Sequence, residues 1–139
     1  MDKTLLRIDK FLQQHHVMSL ATFFEDELSV CSLFYAYSKD INSFVVASDE
    51  KTTHIKHIEK NPNIAGNIVL ETKTVGKIQG VQFSGEFKKL DNDMLKKLYF
   101  QKFPYAKVLN PQLWYIEVKH FKMTDNRLGF GKKLIYNHN

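Results

Sequence analysis

Five side chains suited to binding phosphate lie within seven residues in the first half of the chain. Ser48, Thr52 and Thr53 carry hydroxyl groups, Lys51 carries a cation and His54 carries an imidazole. They follow a short apolar run and precede an amphipathic pattern, so we predict a strand, a turn and the start of a helix. A helix start presents unpaired N–H groups and the positive end of its dipole, which suit a phosphate. The alternative is an ordinary capped surface helix, because Thr is a common N-cap residue.

Nucleophilic and metal chemistry have less support in the sequence. Cys31 is the only cysteine, so no internal disulfide is expected, and its place within a predicted strand favours a buried, unreactive thiol. His54 and His57 are three residues apart on the predicted helix, and His15 and His16 are adjacent. No recognised spacing supplies a third ligand, so we predict no metal site.

The composition indicates a soluble globular protein of ordinary size. The 139 residues are 43% hydrophobic and 25% charged, which predicts one domain spanning residues 1–139. The N-terminus lacks the apolar core of a signal peptide, and no segment approaches the ~20 apolar residues that span a bilayer. We therefore expect a cytoplasmic protein with no membrane partner. The net charge of +5 permits an anionic partner, but the lysine pairs are interleaved with acidic residues, so we predict no nucleic-acid interface.

Hydrophobic periodicity predicts a strand-rich chain with three helices. The first helix follows Asp2 as its cap, the second ends at Asn61 before a proline, and the third lies between Asp91 and Pro104. The links are of hairpin length and helices do not alternate regularly with strands. The predicted fold is therefore mainly β, an antiparallel barrel with flanking helices. Strands are predicted at residues 17–24, 28–37, 44–47, 64–70, 75–90 and 113–124, with a short strand-like piece at the end of the tail.

The second predicted strand is rich in aromatic residues. Phe34, Tyr35 and Tyr37 could line a flat ring or could simply pack in the barrel. A phosphorylated aromatic cofactor needs a polar, cationic pocket at one end and a flat apolar slot at the other, and this strand and the turn together supply both. Gly80 and Gly85 interrupt the fifth predicted strand, which indicates a bulge, a bend or the close approach of a ligand.

Two groups of segments carry a family resemblance that covers nearly the whole chain. The first group comprises CSLFYAYS and SFVVASDEKTTHIKHIEKNPNIAG. It resembles the flavin-binding core of the pyridoxamine-5′-phosphate-oxidase-like family, the FMN-binding split barrels. The second group is similar to a small bacterial branch of that family and comprises EKTTH, IQGVQFSGEF, KFPYAKVL and FKMTDNRLGFGKKLIY. The resemblance implies a homodimer of six-stranded antiparallel split barrels, with FMN bound at the dimer interface.

The resemblance also implies which residues contact FMN. The backbone of the second strand would lie against the isoalloxazine ring, and the turn after the third strand would hold the phosphate. The family's usual Arg–Lys pair is replaced by Thr53 and His54, so we expect Lys51 to supply the cation. Gln82 is expected to replace a glutamine that would fall on Gly80. The implied cofactor-binding residues are Ser32, Leu33, Phe34, Tyr35, Ala47, Ser48, Lys51, Thr52, Thr53, His54, Gln82, Asn126 and Lys132.

Three functions remain open from the sequence. The first is an FMN-dependent oxidoreductase acting on an unidentified small molecule, with no catalytic residue assigned. Vitamin B6 oxidation is not expected, because the C-terminal Trp and Arg of the oxidase have no counterparts and Trp114 is expected to pack in the barrel. The second is a non-catalytic module that binds flavin or another phosphorylated ligand. The third is haem binding, with His15, His16 or His120 as an axial ligand.

Overall fold

The structure, a computed structural model, describes residues 2–138. The helices are α1 (Lys3–Gln14), α2 (Thr53–Lys60) and α3 (Asp93–Lys102). The strands are β1 (Val17–Phe24), β2 (Glu27–Ser38), β3 (Ser43–Ala47), β4 (Asn63–Val69), β5 (Gln79–Lys89), β6 (Leu113–Asp125) and β7 (Lys133–Asn137). Short 3-10 turns lie at Val75–Lys77, Pro104–Leu109 and Asn126–Leu128. No helix within residues 2–138 is long and apolar enough to cross a membrane.

The strands form one antiparallel sheet that closes on itself. Their order is β3-β2-β1-β4-β5-β6-β7, and β3 also pairs with β6. On its side away from β5, β6 pairs with β3 through residues 113–117 and with β7 through residues 120–124. The predicted split barrel with flanking helices is confirmed. The sheet has seven strands rather than six, because the apolar end of the tail pairs with β6.

The barrel interior is filled by aromatic and aliphatic side chains. The ring of Phe44 lies 5.3 Å from that of Tyr35 and 4.7 Å from that of Phe83, measured between centroids. The hydroxyl of Tyr35 donates to the carbonyl oxygen of Leu12 at 2.7 Å, which ties α1 to β2. The helical spacing expected in α1 is confirmed, since its buried residues share the main core with two residues of α2. These are Leu5, Ile8, Phe11 and Leu12 of α1, and Ile55 and Ile58 of α2.

The largest difference from the predicted elements is at the start of β5. The strand begins at Gln79 instead of residue 75, because residues 75–77 form a 3-10 turn that the alternating pattern did not reveal. Of the three features that the glycines of this strand could mark, a bulge is present at Gly85, since the register with β6 shifts between Ser84 and Gly85. A Cβ atom at Gly85 would overlap the carbonyl oxygen of Glu117, so the strands can approach this closely only with glycine here.

Candidate functional site

One half of β2 has a strand partner on one side only. β3 is short and pairs with residues 35–38 of β2, whereas residues 27–34 pair with β1 alone among the strands described. Backbone N–H and C=O groups on the other side of this segment therefore have no ladder partner. Such groups can bond to the polar edge of a flat heterocycle.

The side chains of this open segment alternate between solvent and the core. Ser32 is exposed and Phe34 is 57% exposed, whereas Leu33 is half-buried. Tyr35 is fully buried, and its backbone N–H already donates to the carbonyl oxygen of His16 at 3.0 Å. Ser32, Leu33 and Phe34 can therefore face a ligand, while Tyr35 supports the segment from inside the barrel.

The thiol of Cys31 lies within the same segment. It is half-buried rather than buried as expected. Burial raises the pKa of this thiol above its usual value, so the protonated form is favoured. This agrees with the expectation of an unreactive cysteine, because the thiolate is the nucleophile.

The turn at residues 48–52 continues from β3 beside the open segment of β2. The last β2–β3 pair is Tyr35 with Val46, and the chain then continues through Ala47 and Ser48 into the turn. The helix α2 that follows contacts β2. The carbonyl oxygen of Ser48 accepts a hydrogen bond at 3.0 Å from the indole N–H of Trp114, which is 2% exposed. Trp114 thus packs in the core, as expected, and also fixes the turn.

His54 faces inward and orders the hydroxyl groups of the turn. Its Nε2 lies 2.5 Å from Oγ of Ser48 and 3.3 Å from Oγ1 of Thr52. The residue is 7% exposed. Burial lowers the pKa of the imidazole, and the neighbouring His57 lowers it further, so the neutral ring is favoured. His54 therefore positions hydroxyls instead of presenting a charge at the surface.

The first turn of α2 keeps its amide groups available. Thr52 is the N-cap residue, but its side chain makes no capping bond, because its hydroxyl donates to the carbonyl oxygen of Asp49 at 2.8 Å. The next residue, Thr53, is exposed. Uncapped N–H groups at a helix start are donors for an anion. The site thus joins this helix start to the open backbone of β2.

Charge alone does not make this turn attractive to phosphate. Asp49 and Glu50 precede Lys51, and all three are exposed. The backbone N–H of Lys51 donates to Oδ1 of Asp49 at 2.8 Å. Amide and hydroxyl donors would therefore carry most of the binding, with the Lys51 ammonium as the nearby cation. A groove with a volume of about 510 Å³ opens between residues 47–51 and 109–112, which is a usual size for a small-molecule site.

Three of the predicted site residues lie on other elements. Gln82 is exposed on β5, and Lys132 is exposed just before β7. The side chain of Asn126 is used within the tail, where it donates to Val75 O and accepts from Gly131 N, both at 3.0 Å. No hydrogen bond described for residues 2–138 links these three to the turn.

The outer face of β2, β1, β4 and β5 is apolar and exposed. Val17 lies opposite Phe34, and Ala21 lies opposite both Val30 and Ala65. Monomeric proteins rarely expose large contiguous apolar patches, so this face is suited to an interface. Its large exposed side chains are Val17, Phe23, Leu28, Val30, Phe34 and Val69.

A polar row crosses this apolar face. Ser32 lies opposite Ser19, Ser19 opposite Asn67, and Asn67 opposite Gln82. The row leads from the open segment of β2 to β5. It therefore places the predicted site residues Ser32 and Gln82 on one surface, separated by two strands.

Sequence reasoning missed the role of His57, which fixes α2 against the barrel. Its Nδ1 lies 2.9 Å from Oγ1 of Thr22, and its Nε2 lies 3.2 Å from Oε2 of Glu27. The available signal was its place on the apolar face of the helix, where a buried histidine needs partners.

The histidines of residues 2–138 show no clustered metal site. Across residues 2–138, no group of three or more His, Cys, Asp or Glu residues is placed to hold a metal ion. The ring of His15 packs 4.2 Å from that of Phe11, His16 is exposed, and Nδ1 of His120 is bonded to Asn137. Only His16 of these three is thus both exposed and without a described side-chain bond.

Comparison with known proteins places the chain in a family. No protein-family model matches it. It is 38% identical over 135 residues to a UPF0306 protein of Klebsiella pneumoniae, covering 95% of this chain and 92% of that protein. It is 36% identical over 137 residues to the UPF0306 protein YhbP of Escherichia fergusonii, covering 96% of this chain and 93% of that protein. The chain belongs to the UPF0306 family.

Solved structures show the same fold for this UPF0306 chain. A haem-binding protein from Mycobacterium smegmatis superposes with a TM-score of 0.80 at 14% identity, covering 99% of this chain and 59% of that one. A NimC/NimA family protein from Clostridium acetobutylicum superposes with a TM-score of 0.73 at 17% identity, covering 98% of this chain and 93% of that one. A FAD-binding protein from Mesorhizobium loti superposes with a TM-score of 0.70 at 18% identity, covering 85% of this chain and 90% of that one. These likenesses support the split-barrel fold.

Proposed function

We propose that this protein binds FMN between the open segment of β2 and the start of α2. The observation that carries the proposal is the position of an uncapped helix start beside a strand edge with unpaired backbone groups. The two features differ in chemistry and match the two ends of a flavin nucleotide. Amide and hydroxyl donors suit the phosphate, and an extended backbone edge suits the heteroatoms of the ring.

The residues present fit such a cofactor in distinct ways. Ser32, Leu33 and Phe34 would hold the ring through their backbone and the exposed Phe34 side chain. The hydroxyl of Thr53, the α2 amides and the Lys51 ammonium would hold the phosphate. Flavin would supply electron transfer, and the protein would orient the ring and limit solvent access to it.

A homodimer is part of this proposal. The apolar face of β2, β1, β4 and β5 would be covered by a second copy, since it exposes six large apolar side chains on β1, β2 and β4. A second copy would also explain why Gln82, Asn126 and Lys132 do not join the turn within one chain. They would complete the site of the partner.

The reaction we propose is the oxidation or reduction of a small molecule. The alternative is a protein that binds flavin tightly and has no turnover. No acid or base in the described residues is placed beside the open segment with a clear proton-transfer role, so we assign no catalytic residue. The groove beside the turn would admit the substrate. Bleaching of bound flavin by a reduced nicotinamide, and its recovery with an electron acceptor, would separate the enzyme from the binding module.

The direct test is to purify the protein and identify what it carries. We expect a flavin absorption spectrum and about one FMN per chain, released on denaturation and identified by mass spectrometry. Apoprotein should regain the spectrum when titrated with FMN. A colourless protein that takes up no FMN under these conditions would overturn the proposal.

Haem binding is the second candidate. Its support is the similarity in fold to a haem-binding protein and the exposed His16 next to Val17 on the apolar face. Titration with hemin should then produce a sharp absorption band that is lost in His16→Ala and kept in His138→Ala. A band that is unchanged in His16→Ala would remove this residue as the ligand.

A further inference from the structure

We propose that a second, smaller site binds an oxyanion group between Arg7, Lys10 and Arg127. These residues line a pocket of about 150 Å³ at the junction of α1, the start of β5 and the end of β6. The pocket shares no residue with the FMN site proposed above, so the two proposals stand independently. The remaining lining residues are Phe11, Gln14, Gln79 and Met123.

Arg127 is held in place by a buried carboxylate. Its Nε donates to Oδ1 of Asp125 at 3.1 Å, and its Nη2 donates to Oδ2 at 2.9 Å. The Asp125 side chain is 0% exposed, whereas that of Arg127 is 56% exposed. No hydrogen bond described within residues 2–138 uses Nη1. The guanidinium group is therefore fixed on one side and free to bind on the other, as bidentate recognition requires.

Gln79 completes the orientation of this arginine. Its Oε1 accepts a hydrogen bond at 2.9 Å from Nη2 of Arg127. The amide is thereby turned so that its NH₂ group remains as a donor. Arg127 and Gln79 thus both offer N–H groups to the same small pocket.

The pocket carries uncompensated positive charge. Arg7 and Lys10 are one helical turn apart on α1, and neither forms an ion pair among the residues described. Asp125 neutralises one of the three cations, and no carboxylate lines the pocket. Hydrogen bonding with Arg127 holds the pKa of Asp125 below its usual value, and Arg7 adds to this effect. An anion would relieve the repulsion between the remaining cations.

The size of the pocket restricts the ligand. A volume of about 150 Å³ is below the ~300–1,000 Å³ of usual drug-sized ligand pockets. This is enough for a carboxylate, phosphate or sulfate group and too small for a nucleotide. The inferred ligand is a small anion, or the anionic end of a small molecule, with Phe11 and Met123 providing the apolar wall.

The test titrates the full chain with sodium phosphate and, separately, with sodium acetate, both at constant ionic strength. NMR signals of the backbone amides and of the arginine side chains are followed during each titration. We expect saturable shifts at Gln79, Arg127 and the Arg127 Nε–H. Affinity should fall about tenfold in Arg7→Gln and in Lys10→Gln, the effect of one lost charge-assisted contact. Lys3→Gln, an exposed position on α1 outside the pocket, is the matched control.

The outcomes distinguish the kinds of anion that the pocket could bind. Saturation with phosphate alone would identify a tetrahedral group, and saturation with acetate alone a carboxylate. Shifts confined to residues 48–54 would report the phosphate end of the FMN site and would overturn the present proposal. Equal affinity in wild type, Arg7→Gln and Lys10→Gln would overturn it as well. Arg7 and Lys10 are both exposed, so we expect the two variants to fold. Thermal melts of the variants check this.

Discussion

At the scale of single residues, buried polar groups determine how the candidate site is held. His57 bonds through both ring nitrogens, to Thr22 on β1 and to Glu27 on β2. His54, one turn earlier, bonds to Ser48 and Thr52. One helix face thus carries one histidine that docks α2 on the barrel and another that orders the turn. The position of the proposed phosphate donors depends on both.

Replacing Thr22 with Val should destabilise the protein. The change keeps the shape but leaves Nδ1 of His57 without its partner at a site that is 5% exposed. We expect a loss of about 1–3 kcal/mol in the free energy of unfolding, measured by urea titration. Glu27→Gln is the comparison, because that side chain is 78% exposed and should contribute less than about 1 kcal/mol. Equal effects of the two changes would contradict this assignment.

Lys51→Ala should weaken FMN binding without affecting the fold. The side chain is exposed and supplies the cation beside the α2 amides. We expect a loss of about 1–3 kcal/mol in binding free energy, measured by fluorescence titration of the apoprotein with FMN. Lys60→Ala, exposed at the other end of α2, is the control. Unchanged affinity in Lys51→Ala would place the phosphate elsewhere.

Lys102 should make stability depend on pH. Its ammonium donates to the carbonyl oxygen of His15 at 2.7 Å and lies 4.4 Å above the centroid of the Tyr35 ring. Burial lowers the pKa of this amine from 10.5 to about 8. Between these values the unfolded chain binds the proton and the folded protein does not, so this residue makes stability rise with pH.

The change Lys102→Met should remove that rise. Urea titrations at about pH 7.5 and about pH 9.5 should show that stability increases less in the variant than in wild type, because the proton-binding difference is gone. Lys97→Met, exposed on the same helix, should behave as wild type. If the stability of Lys102→Met increased with pH as much as that of wild type, the pH dependence would have to come from other titrating groups.

At the scale of elements, the sequence predicts what is periodic and misses what depends on distant contacts. The spacing of Leu5, Ile8 and Leu12 predicts α1, and the glycine at position 85 marks an interruption of β5 that the structure shows to be a bulge, because both signals are local. The open half of β2 is not predictable in this way, since it arises because β3 is short and pairs with only residues 35–38. The inward direction of His54 also depends on tertiary packing.

Gly85→Ala should be costly, whereas Gly80→Ala should not. A Cβ at Gly85 would overlap the carbonyl oxygen of Glu117, but one at Gly80 would meet its nearest atom at 3.5 Å. We expect Gly85→Ala to lower the free energy of unfolding by about 1–3 kcal/mol, as overpacking does. Thermal and urea unfolding of the two variants tests this. A stable Gly85→Ala protein would show that the β5–β6 bulge relaxes without cost.

At the scale of the whole molecule, the barrel has two unlike surfaces. The face of β2, β1, β4 and β5 carries exposed apolar side chains. The side formed by α1, the start of β5 and the end of β6 carries the cationic pocket at Arg7, Lys10 and Arg127. Our proposals place a second copy of the chain on the first surface and a small anion on the second. Arg7, Lys10 and Arg127 lie on α1 and after β6, outside the four strands of the proposed dimer interface.

Val30→Lys should disrupt the proposed dimer. Val30 is 72% exposed in the single chain, so lysine would be tolerated in a monomer but would place a charge inside the interface. Analytical ultracentrifugation should show a dimer for wild type and a shift to monomer for the variant, with weaker FMN binding. Met94→Lys, at a residue that is 56% exposed on α3, is the control. A monomeric wild type would contradict the interface.

The open edge of β2 has a consequence for the protein before the proposed ligand and second copy bind. Residues 27–34 combine an unpaired strand edge with Leu28, Val30 and Phe34 exposed on the adjoining face. Such an edge is a template on which another chain can add a strand. A newly made chain without cofactor would therefore be the aggregation-prone form. With the proposed FMN site, the supply of FMN would then govern how much of the protein escapes aggregation.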